Sequence, residues 1–160
     1  MSLSRLLGKY RGVVVDNRDP SSIGRVRARV PDALGDNVSG WALPCTPYAG
    51  RGVGLFLVPP ADALIWVEFE HGDPDFPIWS GGFWAQGDAP PNASPDVKLL
   101  KTADASITID DSPGASSVKI ETSSGLKLVL DSSGIEITNG QGKVKLSGPN
   151  VTINDVLEVS

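Results

Sequence analysis

Between Ile107 and Val159 the chain repeats one short phrase, a run of alternating aliphatic and polar side chains followed by a glycine turn. Ile107 and Ile109 come first, then Val118 and Ile120, then Leu126, Leu128 and Leu130. Ile135 and Ile137, Val144 and Leu146, and Val151 and Ile153 follow, and Leu157 and Val159 close the series. Gly114, Gly125, Gly134, Gly140, Gly142 and Gly148 fall between these runs among Ser, Asp and Asn, the residues that turn a chain. An internal repeat of short strands means a stacked architecture.

The repeat also limits how such a chain can be stable. Its aliphatic side chains fall on one face of a narrow sheet, and the segment has no aromatic residue and no helical periodicity to supply a cover. A sheet with that face in water recovers only part of the burial free energy that must offset the ordering of its backbone. Three copies with their apolar faces inward bury the stripes against each other and protect the sheet edges. The expected core of such a trimer is Ile107, Ile109, Val118, Ile120, Leu126, Leu128, Leu130, Ile135, Ile137, Val144, Leu146, Val151 and Ile153. Periodicity alone leaves a dimer or a single-chain solenoid open.

The first half has different chemistry. All four Trp, four Phe and two Tyr lie between Tyr10 and Trp84, and every Arg lies at or before Arg51. Tyr10–Val15 is a β-branched and aromatic run ending at the turn pair Asp16-Asn17. Ile23–Val30 alternates strictly, with Arg25, Arg27 and Arg29 on one face. Trp41–Cys45, a buried-type run at Val53–Val58, an alternating run at Ala63–Glu70 and a last run at Phe76–Trp84 follow. Short strands with frequent turns predict a small closed barrel, and the Glu68/Glu70 and Arg25/Arg27/Arg29 faces are candidates to pair across strands. Gln86–Pro95, rich in Pro, Ala and small polar residues, reads as an extended linker. The expected organisation is a barrel over residues 1–85, a linker over 86–97 and a repeat unit over 98–160.

Composition excludes some functions. The chain has 160 residues, with 14 Lys and Arg against 19 Asp and Glu, a formal charge of −5 that points away from nucleic acid. With Cys45 alone, no intrachain disulfide and no paired-thiolate metal site exists. No run approaches the roughly 18 apolar residues of a membrane helix, and Leu6-Leu7 is too short for a signal-peptide core, so synthesis and retention in the cytoplasm are expected.

Three stretches of the first half resemble the OB-fold domain of the phage baseplate assembly protein V family, and the equivalent domain of VgrG proteins in type VI secretion. Tyr10-Arg11-Gly12-Val13-Val14 with Asp19-Pro20 and Ile23-Gly24-Arg25-Val26-Arg27 is the first, and Trp41-Ala42 with Pro44 and Gly52 is the second. The third and most specific is Ala63–Glu70 followed by Gly72-Asp73-Pro74-Asp75-Phe76-Pro77-Ile78-Trp79-Ser80-Gly81. The motif positions are therefore Gly24, Arg25, Val26, Trp41, Glu68, Gly72, Asp73, Pro74, Pro77 and Gly81. The repeat is similar to the spike β-helix of the same family, including Asp110–Gly114 and Leu130–Ile135.

The resemblance implies an all-β chain: an N-terminal five-stranded OB-fold barrel followed by a C-terminal trimeric β-helix or β-prism spike. It implies a structural central spike of a contractile tail or phage-like injection particle that joins the hub and tube to a tip and pierces the target membrane. Expected partners are two further copies of the chain, a separate hub protein at the tube end, a PAAR-type tip protein at the C-terminus and, transiently, the target membrane. Assembly into a virion tail or a cell-associated contractile particle follows. No cofactor and no nucleic acid is expected. The iron-binding His-x-His pair that ends some phage spikes has no counterpart, because the single histidine is His71.

Other chemistries are weighed on the residues. His71, Asp73 and Asp75 in a Gly-Pro turn read as a hairpin loop before they read as a metal site. Glu68 and Glu70 share a strand face, but glycoside hydrolysis by a carboxylate pair needs a cleft that this chain does little to build. Asp110-Asp111 reads as turn entry, and Cys45 as a small buried hydrophobe. The alternative function is an OB-fold binder of single-stranded nucleic acid, with Arg25, Arg27 and Arg29 beside aromatics and an oligomerising tail.

Overall fold

The computed structural model describes residues 5–159, which divide into two compact units at Asp88 and Ala89. The chain is all-β apart from one helical turn, α1 (Pro31–Leu34), and a short 3-10 turn at Glu70–Gly72.

In the first unit, β1 (Tyr10–Asp16), β2 (Arg27–Arg29), β3 (Leu43–Pro44), β6 (Leu64–Phe69) and β7 (Pro77–Gly82) form one sheet in the order β2-β1-β6-β7-β3. Residues 38–42 bond back to β2 through Val26–Ala42 and Arg29–Val38 bridges, while β3 pairs in parallel with β7. The sheet thereby curls into an OB-like half-barrel. Two bulges sharpen the curl. Val15 is an extra residue on β1 opposite Ala28 and Arg27, and β7 gains one around Gly81 opposite Val67 and Ile65. β4 (Ala49–Gly50) and β5 (Val53–Gly54) make a separate two-stranded hairpin.

Alternation decides what the barrel buries. On β6, Ile65, Val67 and Phe69 point inward while Leu64, Trp66 and Glu68 stay half-exposed. Val26, Ala28 and Val30 face the same interior between outward Arg25, Arg27 and Arg29. With Val14, Ala42 and Trp79 they form the core. Three expectations fail here. The Arg-bearing strand pairs with β1 and not with the Glu-bearing strand, because β1 lies between them. Val53–Val58 is not a buried run. Its residues divide between a two-residue strand and an open loop, and Phe56 is 68% exposed. Cys45 is exposed, because it lies past the end of β3, where only its backbone N–H is held, by the Trp79 carbonyl.

The second unit is a single antiparallel meander of β8 (Val97–Lys101), β9 (Ala105–Asp110), β10 (Ser117–Thr122), β11 (Lys127–Asp131), β12 (Gly134–Thr138), β13 (Lys143–Ser147), β14 (Asn150–Ile153) and β15 (Leu157–Val159), each bonded to the next. The turns follow from local side-chain chemistry. Asp110, Asp131 and Asn139 each accept a backbone N–H from two residues ahead, at 2.9, 2.7 and 3.0 Å. Gly134 opens β12 at φ +129°, and a Cβ there would run into the Leu146 carbonyl oxygen of β13. We therefore expect Gly134→Ala to lower the unfolding free energy of the second unit by about 1–3 kcal/mol, measured by urea denaturation with circular dichroism.

Candidate functional site

The first motif of the barrel is organised around one carboxylate, Asp19. Asp19 Oδ1 accepts the Ser21 N–H at 2.9 Å and the Arg25 guanidinium at 3.0 and 2.7 Å. Its Oδ2 accepts the backbone N–H groups of Ile23 and Arg25 at 3.0 and 3.2 Å. The Asp19 side chain is only 3% exposed, so five hydrogen bonds compensate its burial. The Arg25 guanidinium, with the surrounding N–H groups, holds the Asp19 carboxyl far below the usual carboxylate range. Asp19 in turn raises the basicity of Arg25. Arg25 also lies over the Trp41 ring at 5.7 Å.

The neighbouring motif positions serve the same loop. Gly24, at φ +83°, lets the Phe56 ring edge approach to 3.2 Å of where a Cβ would stand, and its carbonyl accepts the Trp79 indole N–H at 3.0 Å. Val26 is fully buried in the core. The residues missed at the sequence level are Lys9 and Ser39. Lys9 pairs with Glu68 at 2.6 Å, and the buried Ser39 hydroxyl accepts the Ala28 N–H at 3.0 Å. Neither stands in a motif or breaks a pattern, so the chain carries no local signal for them.

The Gly-Asp-Pro corner is a turn. Asp73 Oδ1 accepts the Asp75 N–H at 3.0 Å, the Phe76 N–H reaches the Asp73 carbonyl at 3.1 Å, and Pro74 lies within this loop. The Gly72 carbonyl accepts the Leu6 N–H at 2.9 Å, so the corner also anchors the incoming chain. Pro77 starts β7 as a buried residue opposite Phe69, and Gly81 occupies the bulge. Glu70 has left the strand, so it does not share a sheet face with Glu68. Among the described residues no group of His, Cys, Asp or Glu is gathered as a metal site would need. Of the three arginines suggested for nucleic acid, Arg25 is held by Asp19 and Arg27 donates to the Ser39 carbonyl at 3.2 Å. These two are structural.

The second unit brings its predicted residues together in two unbroken rows. Cross-strand register aligns Leu100, Ile107, Ile120, Leu128, Ile137, Val144, Ile153 and Leu157 in one. Ile109, Val118, Leu130, Ile135, Leu146 and Val151 form the other, which begins at Lys98. Leu126, just before β11 and two residues from Leu128, adds to the same face outside the first row, and with Leu128, Ile137 and Val144 it lines a shallow groove of about 620 Å³. The opposite face carries Thr108, Lys119, Val129, Glu136, Lys145 and Thr152 in register. Within one chain the aliphatic face is the more open of the two: Ile107 is 45% and Ile137 53% exposed, while Lys119, Glu136 and Lys145 are half-buried. Among the described residues no apolar side chain of the second unit is buried.

A barrel locked by structural contacts and a sheet with an uncovered aliphatic face are features expected of a structural assembly component. Comparison with protein families agrees. Residues 10–84 match the type VI secretion system and phage-baseplate injector OB domain, and residues 97–157 match the phage baseplate V C-terminal trimerisation domain. The chain belongs to the phage baseplate V family, a structural component of a phage tail or secretion particle whose trimerisation domain supports a homotrimer. No curated protein matches it. No helix among the described residues is long and apolar enough to cross a membrane.

The Asp19 cluster generates a pH-dependent prediction. A carboxyl whose folded pKa lies below its ordinary value of 3.8 stabilises the fold at every pH above that value and loses the contribution as pH falls below it. Asp19→Asn should therefore lower the urea midpoint of the barrel at neutral pH. Its deficit against wild type should narrow as pH drops under 3.8.

Proposed function

We propose that this chain is the central spike of a contractile tail or phage-like injection particle, a homotrimer whose C-terminal units pack as a three-sided β-prism. The observation that carries the reading is the pair of aliphatic rows with no cover in their own chain. Strand length supports three sides. Strands of five residues span about 17 Å, so a triangular prism sets each sheet about 5 Å from the axis, half the ~10 Å separation of packed sheets. Four sides would set each sheet about 8 Å out and leave an axial void. A two-sheet sandwich has the same spacing as the prism, and the trimerisation family favours the prism.

The absence of aromatic residues from this unit fits the same interior, since a narrow axis accepts branched aliphatics and excludes rings. The thirteen core positions from Ile107 to Ile153 then face the axis, and the Lys119, Glu136 and Lys145 face meets water. In this reading the barrel unit joins a hub protein at the tube end, a PAAR-type protein caps the tip, and the prism pierces the target membrane.

Size-exclusion chromatography with light scattering should give three times the 16.8 kDa chain mass at micromolar concentration. A monomeric mass there overturns the reading. Ile137→Asp places three carboxylates at the axis, each at a penalty of several kcal/mol, and should shift the mass downward. Thr152→Ala on the opposite face should leave the trimer intact.

A further inference from the structure

A second apolar surface lies on the barrel unit. The β4–β5 hairpin stands apart from the five-stranded sheet, and Tyr48, Val53, Leu55, Phe56 and Leu57 project from it into solvent. Tyr48 is 60% and Phe56 68% exposed. The hairpin is nonetheless ordered by specific bonds. The Leu55 N–H reaches the Tyr48 carbonyl at 2.8 Å, and the Thr46 hydroxyl donates to the Leu55 carbonyl at 3.0 Å. Between the hairpin and the barrel lies a groove of about 770 Å³, bounded by Ile23, Cys45, Phe56 and Trp79 among others. Among the described residues no charged side chain lines it.

We infer that this hairpin is itself a subunit interface, its apolar face covered by the barrel unit of a second copy of the same chain. The inference rests on the trimeric spike reading. Two properties of the chain select the occupant. The first is charge. Each copy carries −5, so copies repel except where they meet through a neutral patch, and the groove is such a patch. Depletion of charge together with exposed Tyr and Phe is the composition of a permanent interface core, whereas a partner recruited by electrostatic steering needs charges to meet. The second is the tether. Only residues 89–96 separate the barrel unit from β8, so a trimerised second unit holds three hairpins at an effective concentration on the order of millimolar. At that concentration even a weak apolar contact is populated. Threefold closure then uses the hairpin in a head-to-tail ring, which closes without leaving an unpaired patch.

Cys45 reports directly on this surface, because it is the single cysteine, is exposed in one isolated chain and lines the groove. Full-length trimer, with its mass checked by light scattering, is treated with a small maleimide. Labelling of Cys45 should be about tenfold or more slower than in the urea-unfolded chain. Phe56→Ser should raise the labelling rate toward that of the unfolded chain while the trimer mass stays unchanged. Val53→Asp, at a second exposed hairpin position, should do the same and guards against a local defect of the first variant. A trimer whose Cys45 labels at the unfolded rate overturns the inference and leaves the spike reading standing, as would be the case if a different protein covers the hairpin. Slow labelling that neither variant changes also overturns it. A monomeric mass overturns both.

Discussion

The architecture depends on an aliphatic face that its own chain cannot cover. In the barrel unit, core residues such as Ile65 and Val67 are fully buried by neighbours from the same polypeptide. In the meander most residues of the aliphatic rows stay more than a third exposed, and the polar face is the more sheltered one. A sheet of that kind has little reason to hold its shape as a single chain. In a homotrimer held together through this face, the stability of the second unit would be linked to the concentration of the chain. The absence of aromatic residues and the short strands suit the same constraint, since small branched side chains on a narrow sheet leave a face that only another surface can cover.

The barrel meets a different demand, which is to keep a curled, partly open sheet rigid with only a small core. Asp19 does much of this with one side chain. By accepting from Ser21, Ile23 and Arg25 it fixes the loop between β1 and β2. Through Arg25 it also positions the Trp41 ring. The Trp79 indole ties the far strand to the same loop through the Gly24 carbonyl. The motif Asp-Pro-x-x-x-Gly-Arg thus reads as a staple between barrel strands, and Arg25 within it is committed to structure.

Much of this is legible in the residues. The strict alternation of β6 and the glycine turns of the meander state their periods openly, and period two places every side chain on a face. Other elements are harder to read. In β8, Leu99 and Leu100 are adjacent and break the alternation, and the register becomes visible only when Leu100 pairs with Ile107. Val53–Val58 resembles a core strand because hydrophobicity alone does not distinguish burial within a chain from exposure on its surface. Cys45 misleads for a related reason, since a residue's type says nothing of where its strand ends. The partners of Asp19 are out of reach because they depend on loop geometry, although the aspartate itself stands in the motif.

The direction of the hydrogen bonds in the meander has a mechanical consequence. The strands run across the sheet, so the backbone bonds between them lie along the direction in which the eight strands succeed one another. Pulled along that direction, the ladders are loaded in series and give way singly from an edge. Pushed along it, the rungs are driven together and the side chains of neighbouring strands, in register, resist. The meander is a strut that carries thrust well and tension poorly.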